Sequence, residues 1–317
     1  MTEITVTGDY DGMRLDRFIT KITGAGRNTV QKLLRKGDVR IDGTRVREGD
    51  RPVREGESIR IYGVEERSSG AVSFDASLGE PRILYEDEEI LAVDKPALLA
   101  TQPMKGSRDS LSERIKNHLR ELIEENGGRF ISAPVNRLDY QTSGIVLCGK
   151  TPSSARKLSE MLREEKIEKH YYALCAGEKN SRMRLENWAV RNSAANKMEI
   201  VPGRREGAVR MLGIYTPLSS SEGFTLVDAQ IITGKTHQIR CQLSEAGLPL
   251  VNDVKYGDPE ATRRFRKKCQ AERILLHCRE VAFPLWYAPG SIRITCPLPE
   301  DMAEALSLLG IETKDDT

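Results

Sequence analysis

The chain has 317 residues, 38% of them hydrophobic and 30% charged, with a formal net charge of +2. This composition suits one large or two modest globular domains with a real core and excludes an intrinsically disordered chain. With so small a net charge, any nucleic-acid footprint has to arise from local clustering of cations.

No apolar run reaches the roughly 20 residues that cross a bilayer, and the opening MTEITVTGDY lacks the basic-then-apolar order of a signal peptide, so a cytoplasmic protein without membrane contact is expected. Six cysteines (Cys148, Cys175, Cys241, Cys269, Cys278, Cys296) are scattered without a C-x-x-C pair, which fits reduced thiols. The four histidines (His118, His170, His237, His277) lie far apart, and none completes a zinc set, so no metal is expected.

In chain order, Leu15, Phe18, Ile19 and Ile22 recur at the spacing of one helical face, and Gly24 and Gly26 stop that helix. Asn28 can cap a second helix built on Val30, Leu33 and Leu34. Val39 and Ile41 then alternate up to Asp42-Gly43, a hairpin signal, and Ser58 to Tyr62 alternate again. The expected result is a small α/β module over 1–62, followed by a Ser-, Gly- and acid-rich linker over 63–80 and a second domain over 81–317.

Residues 14–40 of the module hold eight basic residues (Arg14, Arg17, Lys21, Arg27, Lys32, Arg35, Lys36, Arg40) against Asp16 and Asp38. Such a cluster attracts phosphate, because each neutralised phosphate releases counterions. A solvated helix face is the plainer reading of the same charges. Few aromatics accompany them, which favours reading of backbone and shape over base stacking.

In the second domain, short apolar runs at Ile83–Tyr85 and Ile90–Val93 flank the acidic turn EDEE. Ser110 and Glu113 form a capping box that opens a helix through Leu111, Ile115, Leu119, Leu122 and Ile123, closed by Gly127-Gly128. A helix after Pro152 carries Ala155, Leu158, Met161 and Leu162 on one face. Strands are predicted at Tyr171–Cys175, Phe224–Ile232, Ile274–Phe283 and Ser291–Cys296, with a closing helix at Met302–Leu309. Grouping of strands and helices, without strict alternation, predicts an α+β fold with a mainly antiparallel mixed sheet.

Two stretches invite a chemical reading. AQIITGKT, at 229–236, nearly fits a phosphate loop, but Ile231, Ile232 and Thr233 are stiff β-branched residues that favour a strand over a phosphate-wrapping turn. NRLDYQTSG, at 136–144, places Asp139 in a loop before the strand-forming Ile145 and Val146. A lone loop Asp usually pairs with a neighbour such as Arg137 or caps a turn, with Thr142 and Ser143 bonding local backbone.

That plain reading weakens when the segment is taken with four others. These are ILYEDEEILAVDKPALLATQP (83–103), KHYYALCAG (169–177), TGKTHQIRCQLSEAGLPLVNDVKYG (233–257) and RILLHCREVAFPL (273–285). In order and spacing they resemble the RluA-type pseudouridine synthases, whose signature is H-R-L-D-x-x-T-S-G. The N-terminal RLDRFIT and RNTVQKLLRKGDVRIDGTRV resemble the alpha-L RNA-binding module first known from a small-subunit ribosomal protein.

The resemblance implies a pseudouridine synthase fold and an enzyme that isomerises a flipped uridine in structured RNA, with large-subunit ribosomal RNA expected. Transfer RNA, or RNA binding without catalysis, is the alternative. It also implies a catalytic set of Asp139, Tyr171 and Arg240, no cofactor and no metal. Arg240 is expected to hold Asp139 through a bidentate bond, Tyr171 to face the uracil, and Arg137 to touch phosphate or the flipped nucleotide. Arg14, Arg17, Arg27, Lys32, Arg35 and Lys36 are the expected RNA contacts of the module, with Arg263, Arg264, Arg266, Lys267 and Lys268 a further source or simply an exposed helix face. A monomer is expected. The chain departs from the family pattern at Asn136 (usually His), Leu98 (usually Gly), Gln102 (often His), and at Asn252 and Val254 in place of Gly and Pro, whereas Asp253, Tyr256 and Gly257 are kept.

Overall fold

In the computed structural model, which describes residues 1–63, 72–104, 106–128 and 130–313, strand β1 (Thr2–Thr5) and a 3-10 turn at Gly8–Tyr10 lead into helix α1 (Leu15–Thr23). Helix α2 (Arg27–Lys36) and strands β2 (Val39–Ile41), β3 (Thr44–Arg45) and β4 (Ser58–Ile61) complete the N-terminal unit. The apolar stripe read from the sequence is the buried one: Leu15, Phe18, Ile19, Ile22, Val30, Leu33 and Leu34 close over Val39, Ile41, Ile59 and Ile61. Its strands run in the order β1-β4-β2-β3. Asp42 and Gly43 both have positive φ, as a two-residue hairpin turn with the right twist demands. Asn28 does not cap α2. Gly26 holds the cap position, because Arg27 is already helical and the bond from Val30 N closes on Gly26 O at 3.1 Å.

The larger unit is built on a ten-stranded sheet. Its elements are β5 (Arg82–Glu86), β6 (Ile90–Lys95), α3 (Leu111–His118), α4 (Arg120–Glu125), β7 (Ser143–Gly149), α5 (Pro152–Arg163) and β8 (Glu168–Ala176). They continue with β9 (Met183–Asn192), β10 (Lys197–Val201), β11 (Val209–Ser221), β12 (Phe224–Ile231), α6 (Gln238–Glu245), α7 (Pro259–Arg266), β13 (Leu276–Pro284), β14 (Ser291–Thr295) and α8 (Glu300–Leu309). The order is β10-β9-β11-β12-β8-β13-β7-β6-β5, with β14 beside β13. All pairings are antiparallel except β13 with β7, so the sheet is mixed and the fold α+β, as expected.

Two expectations need correction. Ser110 does cap α3 by accepting from Glu113 N at 3.3 Å, but the Glu113 carboxylate turns to Lys116 instead of closing a capping box. The single helix predicted there also breaks at Leu119 into α3 and α4. Strands β9 to β11 and helices α6 and α7 had no counterpart in the periodicity.

Of the linker, 64–71 lie outside the described residues. Residues near its end lie against the large unit: Asp75 and Asn117 exchange two hydrogen bonds, and Arg120 stacks over Phe74 with its guanidinium carbon 4.5 Å from the ring centroid. The two units also touch directly. Arg156 of α5 donates to Gly8 O at 3.4 Å, and the Lys21 ammonium lies 4.8 Å from the centre of the Phe130 ring.

The sheet order puts β7, β13, β8 and β12 side by side. In register, Ser143 at the start of β7 lies level with His277 and Tyr172, and the loop before it lines one cleft with Tyr171 of β8 and Ile231, the last residue of β12. Strand β7 is buried throughout. Its Gly144 has φ +111, and a Cβ there would sit 2.2 Å from Cys278 O on β13. Gly144→Ala is therefore expected to destabilise the fold by about 3 kcal/mol through backbone strain and overpacking; a urea-unfolding shift below about 0.5 kcal/mol would contradict that close approach.

Candidate active site

Asp139 lies in the loop before β7, held by its own backbone. Thr142 N donates to Asp139 O at 3.0 Å, and Leu98 N donates to Tyr140 O at 2.8 Å. Thr101 Oγ1 both donates to Leu138 O (3.0 Å) and accepts from Leu138 N (3.3 Å). From behind, the Arg273 guanidinium donates to Gln141 O at 3.2 Å while its fork grips Asp301 of α8 at 2.6 and 2.8 Å. Ser143 bonds the buried His277 ring at 3.0 Å instead of local backbone. With its loop anchored at 98, 101, 142 and 273, the Asp139 carboxylate is left one-third exposed at the mouth of a cleft.

Arg240 reaches that carboxylate from α6, whose residues Gln238 to Leu243 are all buried. The bond is single: Nη1 donates to Asp139 Oδ2 at 2.9 Å. The expected bidentate fork goes instead to Asp253, with Nε to Oδ2 at 2.7 Å and Nη2 to Oδ1 at 2.9 Å. The reason is burial. The Asp253 side chain is 0% exposed and also accepts from the amides of Lys255 (2.9 Å) and Tyr256 (3.1 Å), so it needs the full fork, whereas Asp139 is partly wet. Burial by itself would raise the Asp253 pKa, but the Arg240 bonds and charge, helped by those amides, outweigh it and hold the carboxyl below the usual range. Burial likewise opposes the charge on Arg240, and Asp253, then Asp139, push its pKa above the ordinary value.

His237, at the N-cap of α6, was not singled out in the sequence beyond the metal test; its place in THQIR was the available signal. Its Nδ1 lies 2.9 Å from the Tyr256 hydroxyl, which itself accepts from Met198 N at 2.6 Å. The other ring nitrogen, Nε2, lies 3.8 Å from Asp139 Oδ2. Burial lowers the His237 pKa, with Asp139 pulling upward and Arg240 and Lys255 pulling down, so the ring is held toward its neutral form.

Tyr171, on β8, lines the same cleft as Asp139 and Arg240, together with Leu138, Ile231, Leu276 and Lys235. Burial, then the adjacent Cys278 thiol, raises its pKa well above normal, so the phenol stays protonated. Tyr172 points to the other side and is fully buried, with the Arg279 guanidinium carbon 4.6 Å from its ring centroid. Arg137 is exposed beside Asp139. Under the loop, Lys95 is buried and donates to Pro96 O and Leu99 O, each at 2.8 Å. Burial, then the charge of Arg273, lowers its pKa to about 7 against the pull of Asp139.

Two of the departures from the family pattern, Asn136 and Asn252, have local explanations. The Asn136 amide is taken up by β7: it accepts from Leu147 N at 2.8 Å and donates to Ile145 O at 3.3 Å, docking the loop onto β7 as a strand would. Leu98 and Asn252, standing where Gly is usual, both have positive φ (61 and 60). Asn tolerates that region, and Asn252 uses its amide to bond Ala271 O (2.7 Å) and Arg273 O (3.0 Å). Leu98 sits there strained and 58% exposed.

The remaining residues singled out in the sequence lie elsewhere. Arg17, Arg27, Lys32, Arg35 and Lys36 are exposed on α1 and α2, and Arg14 is exposed but held by Asp16 at 2.8 Å. The 263–268 cluster is α7 and its exit. Arg263 pairs with Glu260, Lys268 with Glu222 and Arg266 with Asn252, and Arg264 stacks over Phe224, so most of its charge is answered within the fold. The phosphate-loop-like segment splits into the end of β12 and a bend and turn; of its three β-branched residues only Ile231 lies in the strand, with Ile232 and Thr233 in the bend that follows. Among the described residues no His, Cys, Asp and Glu group is arranged to hold a metal, and no helix is long and apolar enough to cross a membrane.

Comparison with known proteins adds to this geometry. Residues 89–245 match the family described as RNA pseudouridylate synthase, and 13–59 match the S4 domain. Ribosomal large subunit pseudouridine synthase C of Escherichia coli is 33% identical over 96% of each chain. The protein of the same name from Pasteurella multocida is 32% identical over 96% of this chain and 93% of its own. The solved structure of human RNA pseudouridylate synthase domain containing 4 shares the fold, with a TM-score of 0.60 at 22% identity over 73% of this chain and 94% of its own.

The Arg240–Asp253 pair sets a pH dependence. A carboxyl whose pKa is depressed on folding contributes stability above its unfolded value, near 3.9, and that stability is lost as pH falls through the folded value. Asp253→Asn is expected to cost about 3 to 5 kcal/mol at neutral pH by leaving Arg240 half-paired, and to flatten the acid limb of stability. An unchanged acid limb in pH-dependent urea unfolding would contradict the pairing.

Proposed function

Because this chain belongs to the RNA pseudouridylate synthase family, we propose that the cleft isomerises uridines of large-subunit ribosomal RNA, with Asp139 as the acting carboxylate. The substrate assignment is supported by the printed names of the curated relatives, and by an S4 match over the basic N-terminal unit. In this reading 1–62 bind RNA, 63–80 link, and 81–317 catalyse, as a monomer without cofactor.

The observation that carries the reading is one cation shared between two carboxylates. Arg240 is bonded to both Asp253 and Asp139, and His237 is held toward neutrality, so Arg240 with its two carboxylates carries one net negative charge. Pseudouridine formation breaks the uridine N1–C1′ bond, turns the base, joins C5 to C1′, and exchanges a proton at C5 for one at N1. Positive character develops at C1′ as the first bond breaks. An aimed carboxylate stabilises it, either by attacking C1′ or by taking the C2′ proton. Arg240 aims that carboxylate, because the fork on Asp253 fixes the plane of the guanidinium from which Nη1 donates.

Tyr171 offers the uracil a ring face and, at rest, a donor. It acts on the C5 proton only after giving up its own. Arg137 meets the flipped nucleotide at the mouth. Extruding the uridine costs a few kcal/mol, which remote contacts offset; the exposed cations of α1 and α2 are one source.

Asp139→Asn is expected to cut tritium release from ribosomal RNA labelled at uridine C5 by at least about a thousandfold while RNA binding persists. Full turnover by this variant would reject the mechanism. Replacing Lys32, Arg35 and Lys36 together by Ala should lower the slope of log affinity against log salt by about 2 to 3; an unchanged slope in filter binding would remove the phosphate role from α2.

A further inference from the structure

Helix α5 belongs to two places at once. Its Arg156 donates to Gly8 O of the N-terminal unit, whereas Ser159, Leu162 and Arg163, at its other end, line the cleft with Asp139 and Tyr171. The separation from Arg156 to Arg163 is about 10 Å along the helix axis. Across that cleft lies Lys235, from the Gly-Lys-Thr segment that resembled a phosphate loop and found no nucleotide role. Its backbone is pinned. Lys235 N and Thr233 Oγ1 both donate to the buried Gln238 side chain, at 3.1 and 2.8 Å, so the exposed ammonium projects from a fixed stem.

The charges around this end of the cleft are not balanced. Arg240 is taken by two carboxylates, and the ammonium of Lys169, in the cleft wall, donates to Ile167 O at 3.1 Å. The cleft's Glu165 is matched from outside by Arg210 at 3.6 Å. Arg163 and Lys235 differ. Among the described residues neither has a carboxylate partner, and the one side-chain bond of Arg163 is a 3.4 Å contact to Ser159 O of its own helix. Two cations without a carboxylate partner, on separate elements that line one cleft with the Asp139 carboxylate, suit a polyanion that passes over the mouth and not an anion that enters it, since Asp139 repels the latter.

We propose that Arg163 and Lys235 bind backbone phosphates of the RNA flanking the target uridine, making α5 the track between the N-terminal unit and the cleft. This rests on the isomerase reading. A phosphate held on each side fixes the strand while one nucleotide leaves the stack, and such contacts position without reading sequence.

The test uses the full chain with a large-subunit ribosomal RNA transcript tritiated at uridine C5, comparing Arg163→Gln, Lys235→Gln, the double variant, and the charge-keeping Arg163→Lys and Lys235→Arg. Each Gln variant should lower the salt slope of binding by about 0.7 to 0.9, so that affinity falls about threefold less between about 50 and 200 mM salt. KM should rise about three- to tenfold with kcat within about twofold, and the charge-keeping variants should restore the slope. An unchanged slope in the double variant, with the wild type releasing tritium, overturns this inference and leaves the isomerase reading standing. A lowered slope with no wild-type tritium release supports the contacts and overturns the isomerase reading instead.

Discussion

One guanidinium divided between two carboxylates organises the active end of this protein. A buried ion pair is worth keeping only when its remaining hydrogen-bonding capacity is met. Asp253 meets that condition with the Arg240 fork and two amides, and this fully paired half leaves Arg240 Nη1 to donate to Asp139. The pair is thus a fixture for a third, wetter group. Asp139 stays accessible to a ligand because Asp253 is not.

The same division of labour extends outward. Helix α6 carries Arg240 and is buried along most of its length, with polar residues inside as well as apolar ones. Gln242 accepts from the Tyr215 hydroxyl at 2.7 Å and donates to Asn187 at 2.7 Å, and Gln238 donates to Leu212 O at 3.0 Å. These bonds lock the helix to β9 and β11. On the other side, Arg273 ties the Asp139 loop to α8. A positioned carboxylate is held from both sides by polar networks whose members are satisfied, which gives rigidity without adding apolar bulk to a cleft that has to admit a nucleotide.

The positions where this chain departs from the usual family pattern belong to the loops around that fixture. Asn136 bonds β7 and does no titration, so the change from His alters how a loop is docked and leaves the carboxylate's partners alone. Asn252 takes over a left-handed backbone position and joins α7 to the chain before β13 through Arg266, which donates to it at 3.0 Å. Leu98 occupies such a position without gaining a bond from its side chain, and the structure offers no compensation for it.

The N-terminal helices, their glycine stops and the Asp42-Gly43 hairpin were legible because an apolar stripe at helical or strand period has one way to be buried. Strands such as β6 and β7 were legible for a related reason, as short β-branched runs between turns. Helix α6 was not, because Gln238, Arg240 and Gln242 are buried alongside Ile239, Cys241 and Leu243, so polar and apolar residues both lie inside and the sequence shows no amphipathic period. Strands β9 to β11 were missed since exposure along β9 and β11 alternates irregularly. The residues of the site were named by motif resemblance, and the sequence by itself determined that Asp139 stands before a strand, that Arg240 and Asp253 are present, and that the cations of the first unit cluster. Which carboxylate receives the fork, that His237 joins them, and that Arg163 and Lys235 line one cleft were decided by tertiary structure alone, because each depends on the sheet order bringing together elements that are separate in the chain.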